Sequence, residues 1–249
     1  MNALREYLLA FADDEHLMGQ QHTEWIGVAP FLEEDLAFAS IGQDELGHSV
    51  MLYELVCELD GVEPTDAAID ALAYERGADD YRSCALTEVA TTDWAEALVR
   101  HWIYDMVEFM RWGLVAESSH SSLAAVAERV GREETYHRMH ADALLDALMP
   151  DVAARKAILV ALEMWTPVVA GLLASTDGEA ELVSSGVLTA PTPSLLPTVA
   201  AAIQTRFDVN VDIGDATTIE PRGSTRSEDF EPLMKRMREV LDLDPNAEW

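Results

Sequence analysis

The stretch Phe38-Ala39-Ser40-Ile41-Gly42-Gln43-Asp44-Glu45-Leu46-Gly47-His48-Ser49-Val50-Met51-Leu52 decides the fold. At 3.6 residues per turn, Phe38, Ile41, Glu45, His48 and Leu52 advance in steps of three and four, so all five share one helical face. Two of them are polar, an acid and an imidazole standing where a core-facing helix places hydrophobes. An ionised carboxylate buried alone costs several kcal/mol, so this face must meet compensating charge inside the protein.

The same irregularity recurs outward from this helix. The segment before it, Asn2 to Ile26, carries the stripe Leu4, Leu8, Phe11, Met18 and Trp25, with Glu15 between Phe11 and Met18. Gly27 and Pro30 separate the two helices, and Asp60-Gly61 stops the second near Leu59. Thr92-Asp93 suits the cap of a third long helix, running to about Glu117 on Leu98, Trp102, Phe109 and Trp112, with Asp105 among them. Ser121 or Ser122 would cap a fourth on Leu123, Val130, Leu144 and Leu148, closed by Pro150. On its stripe Val130, Glu134, His137 and Ala141 follow the same steps.

Four helices thus aim one carboxylate each at a common core, and two add a histidine three residues on. A Glu-x-x-His from each of two helices plus a carboxylate from each of the others is the pattern of di-iron and di-manganese bundles. Four carboxylates balance two divalent cations. Glu15 precedes Glu45 by 30 positions and Asp105 precedes Glu134 by 29, so the chain reads as two similar hairpins. The expected ligands are Glu15, Glu45, His48, Asp105, Glu134 and His137. Oxygen ligands with one imidazole per ion suit Fe, Mn or Zn. Two redox-active ions can share the electrons of oxygen reduction, which zinc cannot.

Other polar groups are weighed against this set. Glu117-Ser118-Ser119-His120 matches the motif but ends a helix in a Ser-rich turn with no paired carboxylate, and is read as a decoy. Glu133, His140, Glu24, Glu34, Asp44 and Glu108 are read as solvated or as partners orienting a ligand. His22 and His101 are read as structural or exposed, and the tryptophans and Phe109 as core aromatics. No phosphate-binding Gly-rich loop and no Gly-x-Ser-x-Gly occurs.

The remaining chain completes an all-α, ferritin-like reading: a bundle over residues 1–176 and a C-terminal loop and helical extension over 177–249 packed on it. A long crossover joins the second and third helices, with short helices at Asp66–Tyr74 and Tyr81–Ala90. A fifth helix spans Asp151 to about Leu173. Beyond Pro191, Pro193 and Pro197 come helices at Leu195–Phe207 and Phe230–Leu241, with a loop at Ile213–Ser227 between them. No segment reads as a strand.

The formal charge of −30, with Lys156 and Lys235 the only lysines, sets aside nucleic acid and anionic membranes as partners. Acid dispersed along helix faces with lysine suppressed points to adaptation to concentrated salt. Met1 to Ala10 lacks a basic leader, and no apolar run of about 20 residues stands out, so a soluble, cytoplasmic chain is expected. Cys57 and Cys84 are read as reduced thiols.

Several of these stretches carry a family resemblance. Asp13-Asp14-Glu15, the run Glu24-Trp25-Ile26-Gly27-Val28-Ala29-Pro30-Phe31-Leu32-Glu33-Glu34-Asp35, and Ile41-Gly42-Gln43-Asp44-Glu45-Leu46-Gly47-His48 resemble phenylacetyl-CoA epoxidase subunits of the PaaA/PaaC family. Glu133-Glu134-Thr135-Tyr136-His137-Arg138-Met139-His140, Trp165-Thr166-Pro167 and the ending with Pro245 and Trp249 look like the PaaC branch. The resemblance implies a multicomponent monooxygenase. Such a complex places one oxygen atom across the ring of phenylacetyl-CoA as a 1,2-epoxide, with electrons from an NADPH-dependent reductase. It further implies a catalytic PaaA-like partner that binds iron and substrate, and a PaaC subunit that has lost several ligands. This chain departs from that last point, because all six positions match the catalytic subunit's ligands. Three readings stay open: a PaaC-like subunit retaining a di-iron centre (or manganese or a mixed pair), a structural partner with an idle or vestigial site, and a stand-alone di-metal oxidase or ferroxidase.

Overall fold

The computed structural model describes residues 2–215, 219, 222–223 and 225–243. Pro245 and Trp249 lie outside them. The helices in chain order are α1 (Ala3–Thr23), α2 (Leu32–Asp60), α3 (Asp66–Tyr74), α4 (Ala85–Glu88), α5 (Trp94–Val115), α6 (Ser121–Leu148), α7 (Val152–Val169), α8 (Glu179–Ser184), α9 (Leu196–Phe207), α10 (Phe230–Met237) and α11 (Glu239–Leu243). The four long helices α1, α2, α5 and α6 form a ferritin-like bundle, and no strand occurs among the described residues.

Local chemistry sets the ends of these helices. The Asn2 side chain accepts from the Leu4 amide, Asp93 from Glu96 and Asp151 from Ala153 and Ala154, each meeting an amide that the helix leaves free. Three acids in the first turn of α2 face its positive end, and Gly61 closes it in the left-handed region at φ 69°. The cap of α6 corrects the expectation of Ser121 or Ser122. His120 occupies that place, its Nδ1 accepting from the Leu123 amide, so the histidine of the decoy motif is a helix cap.

Other differences have equally local causes. The expected helix at Tyr81–Ala90 contracts to α4, because Tyr81 and Arg82 bind side chains of α1 and the crossover instead. The last amphipathic segment breaks at Arg238 into α10 and α11, and α8 adds a short helix that no sequence pattern announces. On α5, Phe109 is 38% exposed, with Arg138 over its ring, while Glu108 is fully buried. A step of three from Asp105 faces the core and the step of four swings to the rim. The segment Val152–Leu173 is, against expectation, long and apolar enough to cross a membrane by length and composition, at a mean hydropathy of 1.6 over its best window. Its Ile158, Ala161, Leu162, Trp165 and Val169 are buried in the hydrophobic core, whereas Val152, Val160 and Met164 are exposed.

Helix α1 is buried on every side, so its acids need internal partners. Arg76 and Tyr53 donate to Asp13, Arg82 donates to Glu6, and Arg111, Arg222 and the Cys84 amide meet Asp14. Arg226 closes on Glu88 of α4. The crossover and the C-terminal segment thereby bind α1 and α4 through buried charge, while Phe207 of α9 stacks edge-on against Trp102.

One contact fixes the spacing of α1 and α2. A Cβ added at Gly42 would stand 2.9 Å from the Gly19 carbonyl oxygen, and one at Gly19 would stand 2.9 Å from that of Gly42. Both obstructions are backbone, so neither can swing aside. Glycine inside a helix costs about 1 kcal/mol relative to alanine, and here it permits the close approach. Gly42→Ala should therefore destabilise the protein by about 1–3 kcal/mol despite its better helix propensity. Urea denaturation checks this; equal or greater stability would show that the approach is not close.

Candidate metal centre

The six residues read from the stripes converge. Carboxylate oxygens and ring nitrogens of Glu15, His48 and Glu134 lie within 4.8 Å of one another, as do those of Glu45, Asp105 and His137. All six side chains are buried. Each triad draws on three helices: α1, α2 and α6 for the first, α2, α5 and α6 for the second. The triads also cross the two sequence hairpins. Glu45 leaves its own hairpin to join Asp105 and His137, and Glu134 leaves its own to join Glu15 and His48. Neither hairpin holds a complete triad, and the site exists only when both have packed.

Both histidines turn Nδ1 inward. His48 Nδ1 lies 3.5 Å from Glu15 and 3.5 Å from Glu134, and His137 Nδ1 lies 3.6 Å from Glu134. Their outward nitrogens are held by carboxylates at the rim: His48 Nε2 donates to Glu133 at 2.9 Å and His137 Nε2 to Asp44 at 3.3 Å. The carboxylates have partners of their own. Trp112 Nε1 donates to Glu15 at 3.1 Å, His22 Nδ1 shares a hydrogen bond with Glu45 at 2.7 Å, and His101 Nδ1 lies 2.8 Å from Asp105. Orienting partners of this kind accompany most protein metal ligands.

Of the groups read from the sequence as solvated or as orienting partners, Asp44 and Glu133 hold the two histidines, while Glu34 and His140 pair with each other further out. His22 and His101 are fully buried, so the exposed alternative for them falls. Glu24 instead pairs with Arg236 at the surface. Glu108 is neither solvated nor a ligand's partner: it is fully buried, paired with Arg111, and burial raises its pKa. Its signal in the sequence is Arg111 three residues on, an i,i+3 pair on the inner face of α5.

A metal fits this donor set. Glu15 Oε2, Glu45 Oε1, His48 Nδ1, both Asp105 oxygens, Glu134 Oε2 and His137 Nδ1 are buried and have no hydrogen-bond partner. Orphaned buried polar atoms are rare in proteins; others occur elsewhere in the chain, on Tyr7, His16 and Tyr104 among them, but these seven fall together on the six residues of the two triads. The donors are hard oxygens with one imidazole in each triad, a set that could hold two divalent ions.

Without such ions, protons must balance the charge. Burial, with Asp105, Glu15 and Glu134 nearby, lifts the Glu45 pKa well above the usual carboxyl range, and burial lifts Glu134 to about 7. Burial opposes charge on His48, but Glu15, Glu134 and Glu133 outweigh it and raise the pKa to about 9. Burial likewise opposes charge on His137, but Asp44 and Glu134 raise it to about 10. The outer histidines behave oppositely: burial and the neighbouring His101 hold His22 well below its usual value and bring His140 down to about 4.

These directions fix the pH dependence of the chelated protein. Glu134, His48 and His137 have raised pKa values, so their contribution to stability is present at low pH. It is lost as pH rises through about 7, 9 and 10 respectively. His22 and His140 have lowered values, so theirs is present above the ordinary histidine pKa and lost on acidification, for His140 as pH falls through about 4. The melting temperature of the chelated protein should peak at about pH 6 to 7 and fall on both sides. A melting temperature still rising at pH 9 would contradict these charge states.

A cavity of about 580 Å³ is lined by Ser83, Cys84, Pro167, Ile213 and Arg222 among others, and none of the six residues lines it.

The chain is 26% identical over 260 aligned positions to the C component of the 1,2-phenylacetyl-CoA epoxidase of Escherichia coli (strain K12), with the whole of each chain covered. The model of the family described as "Phenylacetic acid catabolic protein" matches residues 1–249, and the chain belongs to that family.

Proposed function

We propose that this chain is a PaaC-like component of a phenylacetyl-CoA 1,2-epoxidase and that it retains a di-iron centre. Membership of the family and full-length similarity to the C component of such an epoxidase support the first part. The observation that carries the second is the pair of buried triads with their unpartnered donor atoms. Glu15, His48 and Glu134 would hold one ion, and Glu45, Asp105 and His137 the other. Glu45 and Glu134 are the two members that cross between the hairpins, so each triad would depend on both halves of the chain. Iron bound there would supply the two electrons for oxygen activation; manganese or a mixed pair fits the same donors.

The chain's own residues prepare that chemistry. Glu133 and Asp44 hold the two imidazoles with Nδ1 inward, and Trp112 and His22 fix the rotamers of Glu15 and Glu45. Burial keeps water from the carboxylates, so a divalent ion meets undiluted charge. In the complex, a PaaA-like subunit and an NADPH-dependent reductase would be partners, phenylacetyl-CoA the substrate and the cytoplasm the location.

A second reading keeps the metal but not the turnover. The cavity beside Cys84 and Pro167 does not open onto the triads, which favours a supporting subunit whose centre helps hold a catalytic partner in shape. A stand-alone ferroxidase has no such observation in its favour.

Purified protein reconstituted with Fe(II) should bind two ions per chain by metal analysis. Glu45→Ala should abolish binding of at least one ion while leaving the fold intact by circular dichroism. Full metal content in that variant would refute the ligand assignment. Single-turnover assays with phenylacetyl-CoA, with and without a PaaA-like subunit, divide the two readings. Epoxide formed by this chain alone assigns turnover to it, and none formed assigns the supporting role.

A further inference from the structure

A row of polar side chains leads from the metal centre to the protein rim. His101 Nδ1 lies 2.8 Å from Asp105 Oδ2, at an angle too bent for a good hydrogen bond. His101 Nε2 is hydrogen-bonded to His140 Nδ1 at 3.2 Å, and His140 Nε2 to Glu34 Oε2 at 3.0 Å. Asp105 and His101 are buried, whereas the side chains of His140 and Glu34 retain 14% and 13% exposure. Phe38 packs against both imidazoles, with ring centroids 5.0 Å from His101 and 6.2 Å from His140. The neighbouring branch differs: His22 binds Glu45, but its other nitrogen is buried without a partner, so that branch ends inside.

We propose that Glu34 is a positioning residue for the metal centre, setting through His140 and His101 the ring face that Asp105 meets. The proposal rests on the reading of Asp105 as a ligand. Its logic is the tautomer rule for neutral imidazole, which carries one N–H and one lone pair. When Glu34 donates to His140 Nε2, the Nδ1–H of His140 must point at His101 Nε2. That leaves the Nδ1–H of His101 facing the Asp105 carboxylate, where it steadies the negative charge of a ligand. When Glu34 accepts instead, both rings reverse and a bare Nδ1 faces Asp105, a repulsive contact at 2.8 Å. Burial raises the Glu34 pKa, a shift in the direction of the donating form, and the short Nδ1–Oδ2 approach of His101 to Asp105 matches an Nδ1–H at that contact.

The test joins two readouts. In ¹⁵N-histidine spectra of the chelated protein, His101 should carry its proton on Nδ1, and Glu34→Ala should change the His101 nitrogen shifts although residue 34 does not touch His101. Glu34→Gln, whose amide can donate to His140, should restore the wild-type spectrum. In Co(II) titrations followed by visible absorption, Glu34→Ala should weaken one of the two ions about tenfold, the lower end for partners of metal ligands. The other ion, held by Glu15, His48 and Glu134, should bind as in wild type; a purely structural defect would weaken both. Unchanged His101 shifts in Glu34→Ala, a wild-type His101 with bare Nδ1, or equal loss of both ions would each overturn the proposal. A wild-type protein that takes up no metal sinks the metal centre itself, whereas the tautomer measurement needs no metal and decides the Glu34 arrangement separately.

Discussion

Glu15, Glu45, Asp105 and Glu134 share one dry core, and the repulsion among them is the constraint that the surrounding structure answers. Two unit charges 4 Å apart repel by about 4 kcal/mol at the effective dielectric of a protein site. Four such groups cannot all stay ionised unless cations or protons stand among them. The raised values of Glu45, Glu134, His48 and His137 are the proton answer to this demand. The unpartnered atoms of the same residues leave room for the metal answer. The outer partners serve both, since a carboxylate behind each histidine and a donor behind each of Glu15 and Glu45 hold their geometry whichever cation fills the centre.

The same logic extends beyond the centre. With 16 basic residues against 46 acidic ones, most acids cannot have an arginine or lysine of their own. Several arginines are instead drawn inward: Arg76, Arg82, Arg111 and Arg222 meet the acids of α1, and Arg226 meets Glu88 of α4. Breaking a buried pair by removing one partner strands a charge, at about 3–5 kcal/mol. The crossover and the C-terminal segment are therefore tied electrostatically to the helix that supplies Glu15. The glycine contact of α1 with α2 then sets how closely Glu15 and Glu45 can approach.

Much of this was legible in the sequence because helical periodicity survives burial. The stripes located four helices, and polar residues at stripe positions located the six inward side chains. What escaped were features of packing between segments distant in the chain. The triads cross the hairpins, which no spacing within a hairpin can show. Helix α1 is buried all round, so Asp13 and Asp14, which stand off its apolar stripe, are also core residues, paired with arginines 63 to 208 positions away. His101 and His140 read as unremarkable singly and become partners only when α5 and α6 lie side by side. Phe109 and Glu108 exchange places because a helix face of finite width admits either a step of three or a step of four, and Arg111 decides in favour of the acid.

The energetics also bear on whether the centre is a remnant. A buried ionic cluster without function is poorly favoured, since replacing such groups with apolar residues of similar volume is often neutral or stabilising by about 1–4 kcal/mol. A scaffold that never binds metal gains nothing in stability from such a set over apolar residues of similar volume at all six positions. This chain keeps six inward donors, the rim carboxylates Asp44 and Glu133 that aim its imidazoles, and histidines behind Glu45 and Asp105. In a bare polar core those outer groups steady the protonated imidazoles but leave the inward donor atoms of the six residues unpartnered. Around two divalent ions each has a task, and this favours an occupied centre whether the chain turns over substrate or steadies a partner that does.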